Sequence, residues 1–141
     1  MNLHLIPNEK FTEPYIDFVN ENFIKSEHLF LILGKGIGVK IKPRNNVIEI
    51  EKNYKNIKFI INQMYKSKKI IIHGLFTPHL VILLFFQPWL LKKCYWIVWG
   101  GDLYYFKYRK RNIKTNIYEF VRKIVIKNMG NVCTLVRVIM I

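Results

Sequence analysis

Residues 69–105 read KIIIHGLFTPHLVILLFFQPWLLKKCYWIVWGGDLYY, and the fold is decided there. Two short apolar runs stand out. Ile70–Ile72 is closed by His73-Gly74, and Cys94–Val98 is closed by Trp99-Gly100-Gly101-Asp102; a helix-length apolar segment opening at Pro78 separates them. β-branched and aromatic runs of this length, bounded by glycine, are strand signals, and a parallel strand buried on both faces need not alternate. The stretch is therefore read as a strand–helix–strand unit. Ligands of open α/β sheets bind at the carboxyl ends of the strands, so His73, Gly74, Trp99, Gly100, Gly101 and Asp102 are the first candidate site residues.

The same reading extends outward. Strands are expected at Asn2–Ile6, His28–Leu33, Val47–Ile50 and Asn131–Ile139. A helix capped by Thr12 should pack Tyr15, Phe18, Val19 and Phe23 inward, with Glu13, Asp17 and Glu21 in water. A second covers residues 53–67, with Tyr54, Ile57, Ile60, Ile61 and Met64 as its apolar stripe. The third, apolar all round from Leu80 to Phe86, should be buried. A fourth, from about Thr115 to Lys127, should turn Ile117, Phe120, Val121, Ile124 and Val125 to the core and Arg122, Lys123 and Lys127 to solvent, with Gly130 at C′. The order β-α-β-β-α-β-α-β-α-β predicts an α/β fold, a Rossmann-like parallel sheet with helices on both faces. Gly34–Gly38 reads as a turn, because neither the G-x-G-x-x-G spacing nor a following helix is present.

The chain has 141 residues, the size of one domain. It carries 23 Lys+Arg against 9 Asp+Glu, a net charge of +14. Residues 1–70 hold 12 basic and 7 acidic residues, whereas 71–141 hold 11 basic and only 2 acidic, Asp102 and Glu119. That surplus calls for an anionic partner: nucleic acid, an anionic membrane surface, or substrate phosphates. Its densest part is Lys107, Arg109, Lys110 and Arg111, with Lys114 following. No signal peptide opens the sequence, so cytosolic synthesis is expected. Ile70–Leu91 has 22 residues without a formal charge, a span by length, but Gly74, Pro78, Gln87, Pro88 and two histidines oppose it. Cys94 and Cys133 sit in strand-like runs and read as buried free thiols, and no ligand spacing supports a metal site.

Asp102 admits two readings. After two glycines at a strand end, its carboxylate could take a proton from a hydroxyl or bind a sugar diol; equally, it could cap a helix beginning near Leu103. His73 is either a core imidazole bonded to backbone or a functional group at the ligand edge. Trp96 and Trp99, three apart along a strand, face opposite ways, which makes Trp99 the candidate for stacking on a sugar.

His73-Gly74-Leu75-Phe76-Thr77-Pro78 together with Tyr95-Trp96-Ile97-Val98-Trp99-Gly100-Gly101-Asp102-Leu103-Tyr104 resembles the paired motifs F-H-G-x-F-N-P and F-W-x-x-W-G-x-D-L-Y of glycosyltransferase family 56. Thr77 stands where the family usually has Asn. The resemblance covers about residues 69–130. It implies the N-terminal, acceptor-side half of a two-domain GT-B glycosyltransferase, with the donor-binding domain missing from this chain and the chain alone inactive. It further implies transfer of 4-acetamido-4,6-dideoxygalactose from a TDP-sugar donor to an undecaprenyl-pyrophosphate-linked saccharide (lipid II) of enterobacterial common antigen, at the cytoplasmic face of the inner membrane, with no cofactor. Asp102 and His73 would then be catalytic or acceptor-binding, and Gly74, Trp99, Gly100, Gly101 and Tyr104 substrate-binding. Lys107, Arg109, Lys110, Arg111 and Lys114 would meet an anionic membrane or phosphate. The alternatives are a basic nucleic-acid-binding module, although the resemblance implies no nucleic-acid partner, and a small membrane-associated protein.

Overall fold

The computed structural model describes residues 1–34, 38–51, 54–75, 77–99, 102 and 110–134, the side chains of 54 and 55 excepted. Its elements are β1 (Asn2–Pro7), α1 (Thr12–Asn22), β2 (His28–Leu33), β3 (Val47–Ile50), α2 (Tyr54–Lys66), β4 (Lys69–His73), α3 (Pro78–Phe86), β5 (Cys94–Val98), α4 (Ile113–Lys127) and β6 (Asn131–Thr134). Short 3₁₀ turns at Lys25–Glu27 and Pro88–Lys93 precede β2 and β5. The six strands form one parallel sheet in the order β3-β2-β1-β4-β5-β6, the Rossmann arrangement anticipated from the alternation. The expected strand continuing to Ile139 is described as far as Thr134, and Lys35–Ile37 of the glycine turn lie outside the described residues.

Two compact units divide at Ile71. In Met1–Ile71, β1 pairs with β2 from Asn2↔His28 to Pro7↔Leu33, and β2 with β3 from Phe30↔Val47 to Leu33↔Ile50. Leu3 to Ile6 are consecutively buried, as a strand covered on both faces requires. Ile6, Ile16, Val19, Phe30, Ile32 and Ile41 form one core cluster, with Tyr15 and Val47 against it. The inward face of α1 is thus Thr12, Ile16 and Val19, whereas Phe18 and Phe23 are each 56% exposed, contrary to the expected stripe. Thr12 is the first helical residue and not the cap; its hydroxyl donates to the Pro7 carbonyl at 2.7 Å. Glu13 and Asp17 do not simply face water. The Arg44 guanidinium donates to Glu13 at 2.8 Å and to Asp17 at 2.6 Å, and holds the Glu13 carboxyl below its ordinary range. This fork ties the segment before β3 to α1.

In Ile72–Ile141, β5 pairs with β6 from Tyr95↔Asn131 to Val98↔Thr134. Pro78 pre-sets the first turn of α3, and Thr77 stands at its N-cap. Only part of α3 is buried, namely Leu80, Val81 and Leu84; Ile82 and Phe86 are exposed. α4 starts two residues earlier than the sequence suggests, because Asn112 and Thr115 form a reciprocal cap: each side-chain oxygen accepts the other's backbone N–H at 2.8 Å. Its faces differ from expectation. Arg122 and Val125 are buried, while Ile117 and Phe120 are 60% and 65% exposed. Gly130 is needed for close approach and not as a helix C′ residue. Its N–H donates to the Leu91 carbonyl at 2.8 Å, and a Cβ there would stand 2.5 Å from the Lys92 carbonyl oxygen. Cys94 is buried, its thiol pushed up to about 12 by burial, but Cys133 is exposed, unlike the buried thiol expected. No helix among the described residues is long and apolar enough to cross a membrane.

Candidate active site

The carboxyl ends of β4 and β5 meet through one side chain. Asp102, fully buried, accepts from the Leu75 backbone N–H at 2.9 Å and the Trp96 indole N–H at 2.7 Å on Oδ2. On Oδ1 it accepts from the Trp99 backbone N–H at 3.0 Å. Three N–H donors converging on one carboxylate are charge-assisted bonds in a site screened from water, the arrangement in which such bonds are strongest. The first donor belongs to the His-Gly block and the other two to the Trp-Gly-Gly-Asp block. Asp102 therefore fastens the two motifs together.

The backbone makes this possible at Gly74. Its φ of +70° is left-handed, a conformation that costs any residue with a Cβ, and it lets the chain leave β4 with the Gly74 N–H still donating to the Ile97 carbonyl at 3.0 Å. The turn then presents the Leu75 N–H to Asp102. From the other side, the Arg122 guanidinium donates to the Asp102 backbone carbonyl and lies 3.7 Å from the Glu119 carboxylate. Arg122 is 3% exposed. Burying a guanidinium is costly unless it is paired, and the Asp102 carbonyl and the Glu119 carboxylate supply that pairing on the inward side of α4.

His73, the last residue of β4, is 3% exposed, and burial pushes its imidazole down to about 4. It is neutral at physiological pH. Its ring meets the Trp99 ring edge-on, with centroids 6.4 Å apart and an interplanar angle of 86°. The structure thus brings His73, Gly74, Trp99 and Asp102 to one sheet edge. Lys110, Arg111 and Lys114 are exposed around the start of α4. Gly100, Gly101, Tyr104, Lys107 and Arg109 lie outside the described residues.

Two participants escape the sequence reading. Strand parity sets Trp96 aside, yet its indole reaches Asp102, while Trp99, just past the strand, joins through its backbone. Periodicity places Arg122 on the solvent face, and it is buried. A lone Arg within an otherwise apolar helical row is the signal that could have found it. In chemical terms, Asp102 has no exposed atom and accepts from three donors among the described residues, so its carboxylate is committed to this junction. His73 offers a neutral imidazole beside an aromatic wall.

The family model described as 4-alpha-L-fucosyltransferase, glycosyl transferase group 56, matches residues 15–138. Among curated proteins and among solved structures no match is found.

Proposed function

The chain belongs to glycosyltransferase family 56, and on that premise we propose that it forms the acceptor side of a GT-B enzyme moving 4-acetamido-4,6-dideoxygalactose from a TDP-sugar to a polyprenyl-pyrophosphate-linked saccharide of enterobacterial common antigen. The observation that supports this reading is the Asp102 junction, which assembles both motif blocks at the carboxyl ends of adjacent strands. In such a transfer the acceptor hydroxyl oxygen attacks the anomeric carbon of the donor sugar. The bond from that carbon to the terminal phosphate oxygen breaks, TDP leaves with the electron pair, and the hydroxyl proton passes to a base. We assign His73 and Trp99 to the acceptor sugar, His73 as a hydrogen-bond acceptor for its hydroxyl and Trp99 as a stacking wall. Asp102 is a positioning residue holding that pair, and Gly100, Gly101 and Tyr104 complete the substrate contacts. The TDP-sugar is held mainly by a second domain, without which this chain does not transfer sugar.

A polyprenyl-linked acceptor stays in the bilayer, so the protein works peripherally at the cytoplasmic face, where Lys107, Arg109, Lys110, Arg111 and Lys114 meet anionic headgroups. Each such residue contributes about 1 kcal/mol. Phosphatidylcholine vesicles carrying polyprenyl pyrophosphate with and without its linked saccharide are equal in charge and separate saccharide recognition from charge. The chain should bind the former more tightly, and Trp99→Ala should weaken that binding about tenfold. Equal binding to both vesicles, or tighter binding to single- or double-stranded nucleic acid than to either, would overturn the assignment. Sugar transfer by the chain on its own would overturn the need for a second domain.

A further inference from the structure

The fold leaves the outer face of α4 without an explanation. Arg122 and Val125 take the inward side, with Tyr118 and Val121 half-buried. Ile113, Ile117 and Phe120, at i, i+4 and i+7, are 79%, 60% and 65% exposed, and Ile124 continues the row, half-buried. With 3.6 residues per turn these positions make a single axial stripe. Exposed Lys114 lies on one side of it, and exposed Lys123 and Lys127 on the other. Lys110 and Arg111, also exposed, stand just before the N-cap. α3, which packs against α4, leaves Phe86 exposed as well, and Trp89 follows it. Large apolar side chains scattered singly over a surface need no account, but a contiguous row does.

We propose that this row is an interfacial membrane face: α4 lies in the plane of an anionic bilayer, with Ile113, Ile117 and Phe120 in the headgroup–acyl boundary and the flanking cations on lipid phosphates. The occupant is chosen by charge. Lysines on both borders of an apolar helical stripe suit an interfacial helix, whereas the cores of protein interfaces are depleted in lysine. A second copy would set like charge against like, since residues 71–141 hold only two acidic side chains, Asp102 and Glu119. Both are engaged internally, Asp102 by its three N–H donors and Glu119 by Arg122. The inference rests on the peripheral-membrane reading above and deepens it, by making apolar insertion, and not charge alone, the source of the contact.

The test is flotation of the full chain with phosphatidylglycerol-containing vesicles and with phosphatidylcholine vesicles, for wild type, Ile117→Ser/Phe120→Ser, and the conservative Phe120→Leu. Because both positions are exposed, the far-UV circular dichroism and melting of all three should coincide. The expected result is that wild type partitions onto the anionic vesicles, the double serine variant does so on the order of a hundredfold more weakly, and Phe120→Leu stays within a few-fold of wild type. If wild type ignores anionic vesicles, the membrane reading itself fails. If it binds them and the serine variant binds equally well, the charges suffice and the inserted stripe is refuted alone. A wild-type dimer that the serine substitutions dissociate, with vesicle binding unchanged, would identify a second copy as the occupant and overturn the proposal.

Discussion

Asp102→Asn changes one oxygen for an NH₂ in a site where, among the described residues, every hydrogen-bond partner of the side chain is a donor. Oδ2 takes two N–H bonds, from Leu75 and Trp96, and Oδ1 takes one, from Trp99. The best rotamer of the introduced amide therefore keeps its carbonyl toward Leu75 and Trp96 and points its NH₂ at the Trp99 N–H. One bond to a charged acceptor is lost outright, at about 1.5–3 kcal/mol, and a buried donor is left facing another donor. The two surviving bonds become neutral ones of roughly half the strength. Together this predicts a destabilisation of about 3–5 kcal/mol, a large part of the roughly 5–15 kcal/mol available to a domain. Urea denaturation measures it through the midpoint, and amide exchange localises it, since the Leu75 and Trp99 N–H groups should lose protection before the rest of the sheet. Trp96→Phe removes one of the same bonds, so the double variant should fall short of the sum of the two singles. A change under about 0.5 kcal/mol, the range of ordinary surface substitutions, would refute the junction.

Two further outcomes follow from the same unit. Burial holds His73 at about 4 in the folded chain against 6.5 unfolded, so its neutral form costs nothing above pH 6.5. As pH falls from there toward 4 the unfolded chain takes up a proton that the folded one refuses, and stability drops by up to about 3 kcal/mol; urea midpoints across that window should fall more steeply for wild type than for His73→Gln, and equal slopes would remove His73 as the cause. Gly130→Ala places its Cβ 2.5 Å from the Lys92 carbonyl oxygen and 2.8 Å from that of Leu91, backbone atoms that cannot swing aside, so thermal melting should show a loss of about 1–3 kcal/mol; an unchanged melting temperature would mean that the turn yields.

The strands are legible in the sequence because a parallel sheet covered on both faces demands nearly continuous apolar runs, and Ile70–Ile72 and Cys94–Val98 could be little else. The strand ends are legible for the same reason, and with them His73, Gly74, Trp99 and Asp102 as neighbours. Helical faces are less so. In α1 and α4 apolar residues occupy more of the circumference than one buried stripe can hold, and hydrophobicity alone does not choose among them. Ile16 buries in place of Phe18, and Arg122 turns inward in place of Phe120, because a carbonyl and a carboxylate await it there. Such choices are made by polar partners distant in sequence, as with Trp96 and Asp102. Cys133 departs from its reading because an apolar run at the end of a sheet need not be covered.

The inward engagement of Asp102 and Glu119 around Arg122 has a consequence beyond the interior. With the only two acidic side chains after residue 70 occupied there, Lys92, Lys110, Arg111, Lys114, Lys123 and Lys127 stand in solvent with no outward carboxylate of that half to offset them. Mobile anions gathered from solution share in their neutralisation. Any polyanionic surface that meets this half of the chain replaces that ion cloud with fixed phosphates and sets the small ions free, so the encounter is driven substantially by the entropy of counterion release and is guided from a distance on the order of the ~8 Å Debye length at physiological salt. Adding one outward carboxylate beside α4 would thin that cloud, and slow the approach before any contact is made.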